Sequence, residues 1–357
     1  MTTRKGLLIG GQRVRRGETR DLLLPFSESY LGGNMAVPIR VIRARRPGPR
    51  VLLAGALHGD ELNGMGIVHR LLYDEPPKLL RGTLLCIPVM NVYGFENHSR
   101  YLPDRRDLNR HFPGTANGSL TSRLAHIIME KVVRQCDYVV DFHSAARGRT
   151  NYPNVRADMR NPEVRTLARA FGTELIIDAA GPKGSLRREA VRAGVTAIIF
   201  EAGEVLKVEP GILDLGMRGA LNVLKNLGMV RGRPEPPLFQ SVIEKTTWVR
   251  AEHGGFLAFH MRPGDFVYEG DVLATNHSIY GHESRPITAP ADGVILSMTT
   301  MPAVRPGMPV YHIACRSRRT LARLRTKMGE HGRSRYLRIQ RDLATSVAIQ
   351  EYTEQTE

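Results

Sequence analysis

The sequence predicts an α/β chain: a mixed, mostly parallel sheet with flanking helices, followed by a small all-β C-terminal domain. Three observations predict it. From residue 51 to 228, short apolar runs bounded by turns alternate with helical apolar periods, the strand–helix–strand pattern of a sheet covered on both faces. After residue 240 the helical period disappears and short apolar runs are punctuated by Gly, Pro and Asp. At 357 residues the chain has the length for two domains.

Composition narrows the function classes. Hydrophobic residues make up 42% and charged residues 24%, ordinary for a globular chain in water. No apolar run reaches the length of a membrane span, so a membrane partner is not expected. The opening MTTRKGLLIGGQRVRR has a short apolar patch amid charge and does not read as a secretory signal. Cys86, Cys136 and Cys315 are widely spaced, without a Cys-x-x-Cys pair, which reads as reduced thiols in a cytoplasmic protein. The net charge of +16 is concentrated at the ends: +8 in residues 1–50, +9 in 316–341, −4 in 342–357 and +3 in the body. A basic isoelectric point therefore does not make the body a nucleic-acid-binding domain. Oligomeric state is left open, and a homo-oligomer is compatible with the sequence.

In chain order, residues 1–50 form an N-terminal β segment, with strands at 6–9, 19–25 and 37–43 as an antiparallel edge on the main sheet. An α/β domain follows over 51–230. Its strands are expected at 51–57, 82–88, 138–142, 174–177 and 195–201, and its helices at 61–72, 120–133, 163–171, 185–193 and 211–227. Residues 228–240, with three prolines, read as a linker. The all-β domain spans 241–315, with strands at 246–250, 255–260, 265–267, 271–274, 293–297 and 309–314. The tail, 316–357, is basic and then acidic, a peripheral helix or partly disordered.

The stretch VLLAGALHGDELNG (51–64) places His58 where a strand ends and Glu61 at the mouth of the next helix. In an open α/β sheet, sites form at the carboxyl ends of strands. The pair is either a solvated couple, its carboxylate favoured by the helix dipole, or two ligands of one metal ion. In YVVDFHS (138–144), His143 also follows a buried strand, with Asp141 as a supporting carboxylate. His143 is either a core histidine bonded to a backbone carbonyl or the third ligand of a His₂Glu zinc site with an open position. In IIFEAGE (198–204), Glu201 closes another buried strand, where a carboxylate needs a partner or a role, and could move a water's proton. Glu204 is expected to face solvent. In SRYLPDRRDLNRHFPG (99–114), four arginines are threaded with turn and apolar residues, as in a structured loop that would select anionic substrates through bidentate guanidinium contacts.

HGDE, DLNR, DFH and FEAGE, in this order and at these separations, resemble the succinylglutamate desuccinylase/aspartoacylase family of zinc-dependent deacylases, itself related in fold to the zinc carboxypeptidases. The resemblance runs from about 51 to 314. It implies a carboxypeptidase-like catalytic fold and a barrel-sandwich module after it. It implies one zinc ion (Zn2+) per chain on His58, Glu61 and His143, with Glu201 as general base and acid. Asn109 and Arg110 would bind the substrate carboxylate, and Arg100 would lie in the substrate loop near the zinc. Arg147, Asn154 and Arg156 are further candidates for carboxylate binding. The implied activity is hydrolysis of the amide of a small N-acyl amino acid, a C–N bond other than a peptide bond.

RPGDFVYEGDVL (262–273) and TAPADGVIL (288–296) resemble half-motifs of biotinyl and lipoyl carriers. A carrier needs a lysine at its exposed hairpin, and 246–315 contains none, so the domain reads as a structural module. Two rival functions are carried: a zinc carboxypeptidase acting on a peptide or γ-glutamyl-type amide, and a binder of anionic polymers working through the basic ends.

Overall fold

The computed structural model describes residues 7–29, 31–74 and 76–331, together with 343, 349 and 350, with side chains of the main run described through 327. The chain opens with a hairpin, β1 (Leu7–Ile9) and β2 (Gln12–Val14). Two ten-residue strands follow, β3 (Thr19–Glu28) and β4 (Asn34–Arg43), whose inward residues Leu22, Leu24, Phe26, Val37, Ile39 and Val41 alternate with exposed or half-buried ones.

The central layer is then built in alternation. It comprises β5 (Arg50–Ala54), α1 (Leu62–Tyr73), β6 (Thr83–Ile87), α2 (Val92–Glu96), α3 (Leu120–Lys131), β7 (Tyr138–His143), β8 (Arg149–Ala157), α4 (Pro162–Phe171), β9 (Leu175–Asp178), α5 (Leu186–Arg192), β10 (Thr196–Gly203) and α6 (Pro210–Asn226). Successive residues of β5 divide between two cores, which is why its sequence is apolar throughout. Val51 and Leu53 pack with α1, α4 and α6, while Leu52 and Ala54 pack with α3 and α5.

Downstream come β11 (Ser241–Ile243), β12 (Thr246–Arg250), β13 (Gly255–Phe259), β14 (Phe266–Val267), β15 (Val272–His277), β16 (Ser284–Thr288), β17 (Gly293–Thr299), β18 (Ala303–Val304) and β19 (Pro309–Cys315). The helix α7 (Arg318–His331) follows. The acidic stretch and most of the basic one beyond α7 lie outside the described residues. Among the described residues, no helix is long and apolar enough to cross a membrane.

The large sheet is mixed rather than mostly parallel. Its path is β12-β19-β17-β8-β10-β7-β5-β6-β4-β3, with β9, β11 and β14 attached beside it. Neighbours run parallel at the centre, through β10, β7, β5 and β6, and along β8, β9 and β11. Outward on both sides the pairing turns antiparallel. The sequence reading missed β8 (RTNYPNVRA). Arg, Asn and Pro there hide the apolar signal, although the strand is almost wholly buried.

Through β8 the all-β region is hydrogen-bonded into the main sheet, with Ser297 opposite Asn151 and Thr299 opposite Arg149. It also carries a second sheet, β16-β15-β13-β18, and its own core around Phe259, Leu273, Ile295 and Tyr311.

Candidate metal centre and its cavity

The site forms where the parallel strands end. The register sets Glu201 of β10 beside His143 of β7, and Ala54 of β5 beside Asp141. The chain leaving β5 reaches His58, then Glu61 at the N-cap of α1. Two glycines allow this approach. A Cβ on Gly64 would stand 2.7 Å from the Phe142 carbonyl oxygen, so only glycine lets α1 lie against β7. A Cβ on Gly59 would stand 1.9 Å from the Gly94 carbonyl carbon, so the His58 loop seats directly on α2.

The Glu61 carboxylate does not cap its own helix. It turns to the two histidines, with His58 Nδ1 2.6 Å from Oε1 and His143 Nδ1 2.8 Å from Oε2, and Oε2 also accepts the Ser144 amide at 3.1 Å. The other nitrogen of each ring meets an aspartate: His58 Nε2 lies 3.1 Å from Asp107 Oδ1, and His143 Nε2 2.8 Å from Asp141 Oδ2. Asp107 is gripped in turn by Arg100, whose Nη1 lies 3.4 Å from Glu61 Oε1.

His58, Glu61 and His143 are all buried, with ligand atoms within 4.8 Å of one another. This donor set fits a divalent ion such as zinc. It offers two imidazole nitrogens and a carboxylate, with an aspartate fixing each ring from behind.

The electrostatics follow from the contacts. Burial opposes a charged His143, but Asp141 and Glu61 outweigh it and raise its pKa well above the ordinary value. His58 is likewise disfavoured by burial and raised by Glu61 and Asp107. Burial alone would raise the Glu61 carboxyl, yet the two histidines hold it far below the carboxylate range. A metal ion bound here would compete with protons for the same imidazole nitrogens.

The three residues line a cavity of about 400 Å³, within the range of small-molecule sites. Arg100, Asn109, Arg110 and Glu201 line it too. Asn109 is buried and its Oδ1 accepts the Leu186 amide at 2.9 Å, tying the DLNR loop to the start of α5. Arg110 is exposed and donates to the Asn109 carbonyl at 2.8 Å. Glu201 accepts from Asn151 Nδ2 at 2.9 Å and lies 3.6 Å from Arg156 Nε.

Of the further candidates, Arg156 lines the cavity. Asn154 is buried behind it, donating to the Tyr152 and Glu201 carbonyls. Arg147 is exposed and outside the lining, where Arg149 stands instead. Glu204 is buried, not solvent-facing: it pairs with Lys207 at 3.0 Å beneath the turn that follows β10.

Among the lining residues that sequence reasoning missed are Arg187, Trp248 and His312. Arg187 on α5 is 4% exposed, and its Nε and Nη1 have no hydrogen-bond partner. Burial, with Arg156 beside it, pushes its pKa down to about 10. Trp248 and His312 arrive from β12 and β19. The signal for Trp248 was its being the single tryptophan of the chain; for Arg187 and His312 there was none.

A family model described as the succinylglutamate desuccinylase/aspartoacylase catalytic domain matches residues 47–227. The chain is 28% identical over 308 residues, 82% of its own length and 90% of the other, to an N-alpha-acetyl-L-2,4-diaminobutyric acid deacetylase of Halomonas elongata. Its fold resembles a succinylglutamate desuccinylase/aspartoacylase structure from Rhodobacter sphaeroides, with TM-score 0.76 and 24% identity over 85% of this chain and 96% of that one. It also resembles the product-bound ectoine utilization protein EutE (DoeB) of Ruegeria pomeroyi, with TM-score 0.75 and 24% identity over 85% and 97%. The chain belongs to the succinylglutamate desuccinylase/aspartoacylase family.

Proposed function

We propose that the protein is a zinc-dependent hydrolase that cleaves the amide of a small, carboxylate-bearing N-acyl amino acid. One observation carries the reading: two Nδ1 atoms and the Glu61 carboxylate converge in a buried cavity that also holds Glu201. The family and the deacetylase of Halomonas elongata support amide hydrolysis as the reaction.

His58, Glu61 and His143 would hold the metal, with Asp107 and Asp141 keeping the rings aimed. A zinc ion bound there supplies Lewis acidity toward water and carbonyl oxygen. Glu201 takes the proton of the attacking water and returns it to the departing nitrogen. Asn151 and Arg156 fix its carboxylate for that transfer. Arg100, anchored on Asp107, places positive charge where the carbonyl oxygen becomes negative. Arg110, steadied by Asn109, receives the substrate carboxylate. The all-β segment, barrel-sandwich in character on this reading, walls the cavity and favours a short amide over a peptide. The setting we propose is cytoplasmic.

Metal analysis by mass spectrometry tests this directly, paired with hydrolysis of an N-acyl amino acid panel. The expected result is about one zinc per chain and chelator-sensitive release of free amine, with His143→Ala losing metal and activity together. Absence of metal uptake, or full activity without metal, would overturn the reading.

A further inference from the structure

Behind the cavity, two buried polar residues join the strand end that carries Glu201 to the segments that carry Glu61 and His143. Asn63 stands on α1, two residues after Glu61, and Glu209 is the N-cap residue of α6. Both are buried, and neither lines the cavity. Asn63 Nδ2 donates to Glu209 Oε2 at 2.8 Å, and the Glu209 amide donates back to Asn63 Oδ1 at 2.9 Å. The pair grips the turn that follows β10. Glu209 Oε2 accepts the Glu204 amide at 2.9 Å, and Asn63 Nδ2 lies 3.4 Å from the Glu204 carbonyl oxygen. The same Nδ2 lies 3.3 Å from Ser144 Oγ, next to His143, and the Ser144 amide donates to Glu61.

The sheet leaves the end of β10 in need of such a hold. The parallel ladder to β7 ends with Glu201 opposite His143, and the ladder to β8 shifts register between Glu201 and Gly203. A register shift loosens the backbone where Glu201 has to be aimed. The chain then comes very close to the lock. Gly203 has φ +70°, and a Cβ there would stand 1.9 Å from Glu209 Oε2. Three residues on, Leu206 takes a left-handed φ of +58°. Its amide donates at 2.8 Å to the carbonyl of Asp60, which lies between His58 and Glu61. That conformation is uncommon for a leucine, so the turn is held by its contacts and not by its own preference.

We propose that Asn63 and Glu209 are positioning residues: as one lock they fix the end of β10, and with it Glu201, against the helix start that carries Glu61 and the strand end that carries His143. This rests on the deacylase reading above, in which Glu201 moves the proton of the attacking water. Asn151 and Arg156 hold the Glu201 side chain from within the cavity, and the lock holds its backbone from behind. Neither Asn63 nor Glu209 reaches the substrate. Their effect passes through Glu201 to kcat and leaves substrate affinity alone.

The test uses zinc-loaded full-length protein and the N-acyl amino acid panel, with kcat expressed per bound zinc and thermal unfolding recorded alongside. Asn63→Asp sets two carboxylates face to face. It should lower kcat about tenfold while KM moves little. Glu209→Gln keeps an oxygen for Asn63 and for the Glu204 amide, and should leave kcat close to wild type. Combining Asn63→Asp with Glu209→Gln restores the donor–acceptor pair with its polarity reversed, and should recover most of what Asn63→Asp loses. Asn63→Ser removes the amide without adding charge. It should lose a like amount, Glu209→Gln should not rescue it, and it replaces Asn63→Asp if that variant does not fold. Unchanged kcat in the Asn63 variants would overturn the proposal. So would a folded, zinc-loaded double variant as slow as Asn63→Asp. A loss that vanishes once rates are scaled to folded, zinc-loaded protein would also overturn it, as the mark of a merely structural role. Hydrolysis of no panel member by wild type would instead overturn the deacylase reading, and this proposal with it.

Discussion

The two ends of the cavity contrast in how their polar atoms are satisfied. At the His58–Glu61–His143 cluster, each ring nitrogen has a carboxylate within hydrogen-bond reach, and Glu61 serves four partners. At the opposite wall, Nε and Nη1 of Arg187 and Nε2 of His312 have no hydrogen-bond partner. A network that closes on itself keeps its geometry before an ion arrives. A wall of unpaired donors holds free energy in reserve, about 1–3 kcal/mol per buried group, until a ligand supplies acceptors. The first suits a resident cofactor and the second a transient substrate.

The sharpest way to break this contrast is at the residue between the two ends. Glu201→Gln preserves the contact with Asn151 and removes the base. We expect turnover to fall about a thousandfold, in line with general acid–base contributions, while zinc content stays at wild-type level. Steady-state rates alongside metal analysis decide it, and near-wild-type turnover would remove Glu201 from the chemistry.

A middle-sized effect should come from Arg187→Met, and in opposite directions. Removing a buried, unpartnered guanidinium should stabilise the protein by about 1–2 kcal/mol in denaturant titrations. The same change should raise KM about tenfold for the N-acyl amino acid substrate. Loss of both stability and affinity would mean that Arg187 serves the fold.

The last expected effect concerns pH and reads on stability alone. His312 has a folded pKa lowered to about 4 by burial and by Arg156 and Arg149. The unfolded chain therefore binds the extra proton first, near pH 6.5. The stability from the neutral ring is complete above pH 6.5 and is lost as pH falls toward 4. The loss is on the order of 3 kcal/mol across that window. Unfolding free energies of wild type and His312→Gln between pH 4 and 7 should diverge accordingly, and parallel curves would contradict the assignment.

Much of the His58–Glu61–His143 cluster could be read from the sequence because each residue sits at a discontinuity. His58, His143 and Glu201 end apolar runs, and a polar side chain there must lie at a sheet's edge whatever the rest of the fold does. The helix α1 was readable from its apolar spacing, and with it the position of Glu61. The far wall was not legible. Arg187 lies on a short helix whose charged residues look solvated until α5 is seen folded against β10 and tied to Asn109. His312 becomes a wall residue only because β19 and β17 pair onward to β8, across more than 140 residues of sequence separation. The strand β8 escaped notice because its buried face is built from Thr, Asn and Tyr. Asn151 donates to Glu201 and Asn154 to the Tyr152 carbonyl, partners that no local pattern reveals.

The ladder between β17 and β8 has a mechanical consequence. Two lobes joined by a hinge can gape to admit a substrate and shut around it. Here the strand holding Asn151 is stitched backbone to backbone to the strand holding Ser297, so a jaw-like opening would tear main-chain hydrogen bonds. Traffic to and from Glu201 must instead pass over the rim, where Arg110 is already in solvent. The two walls therefore move as one piece.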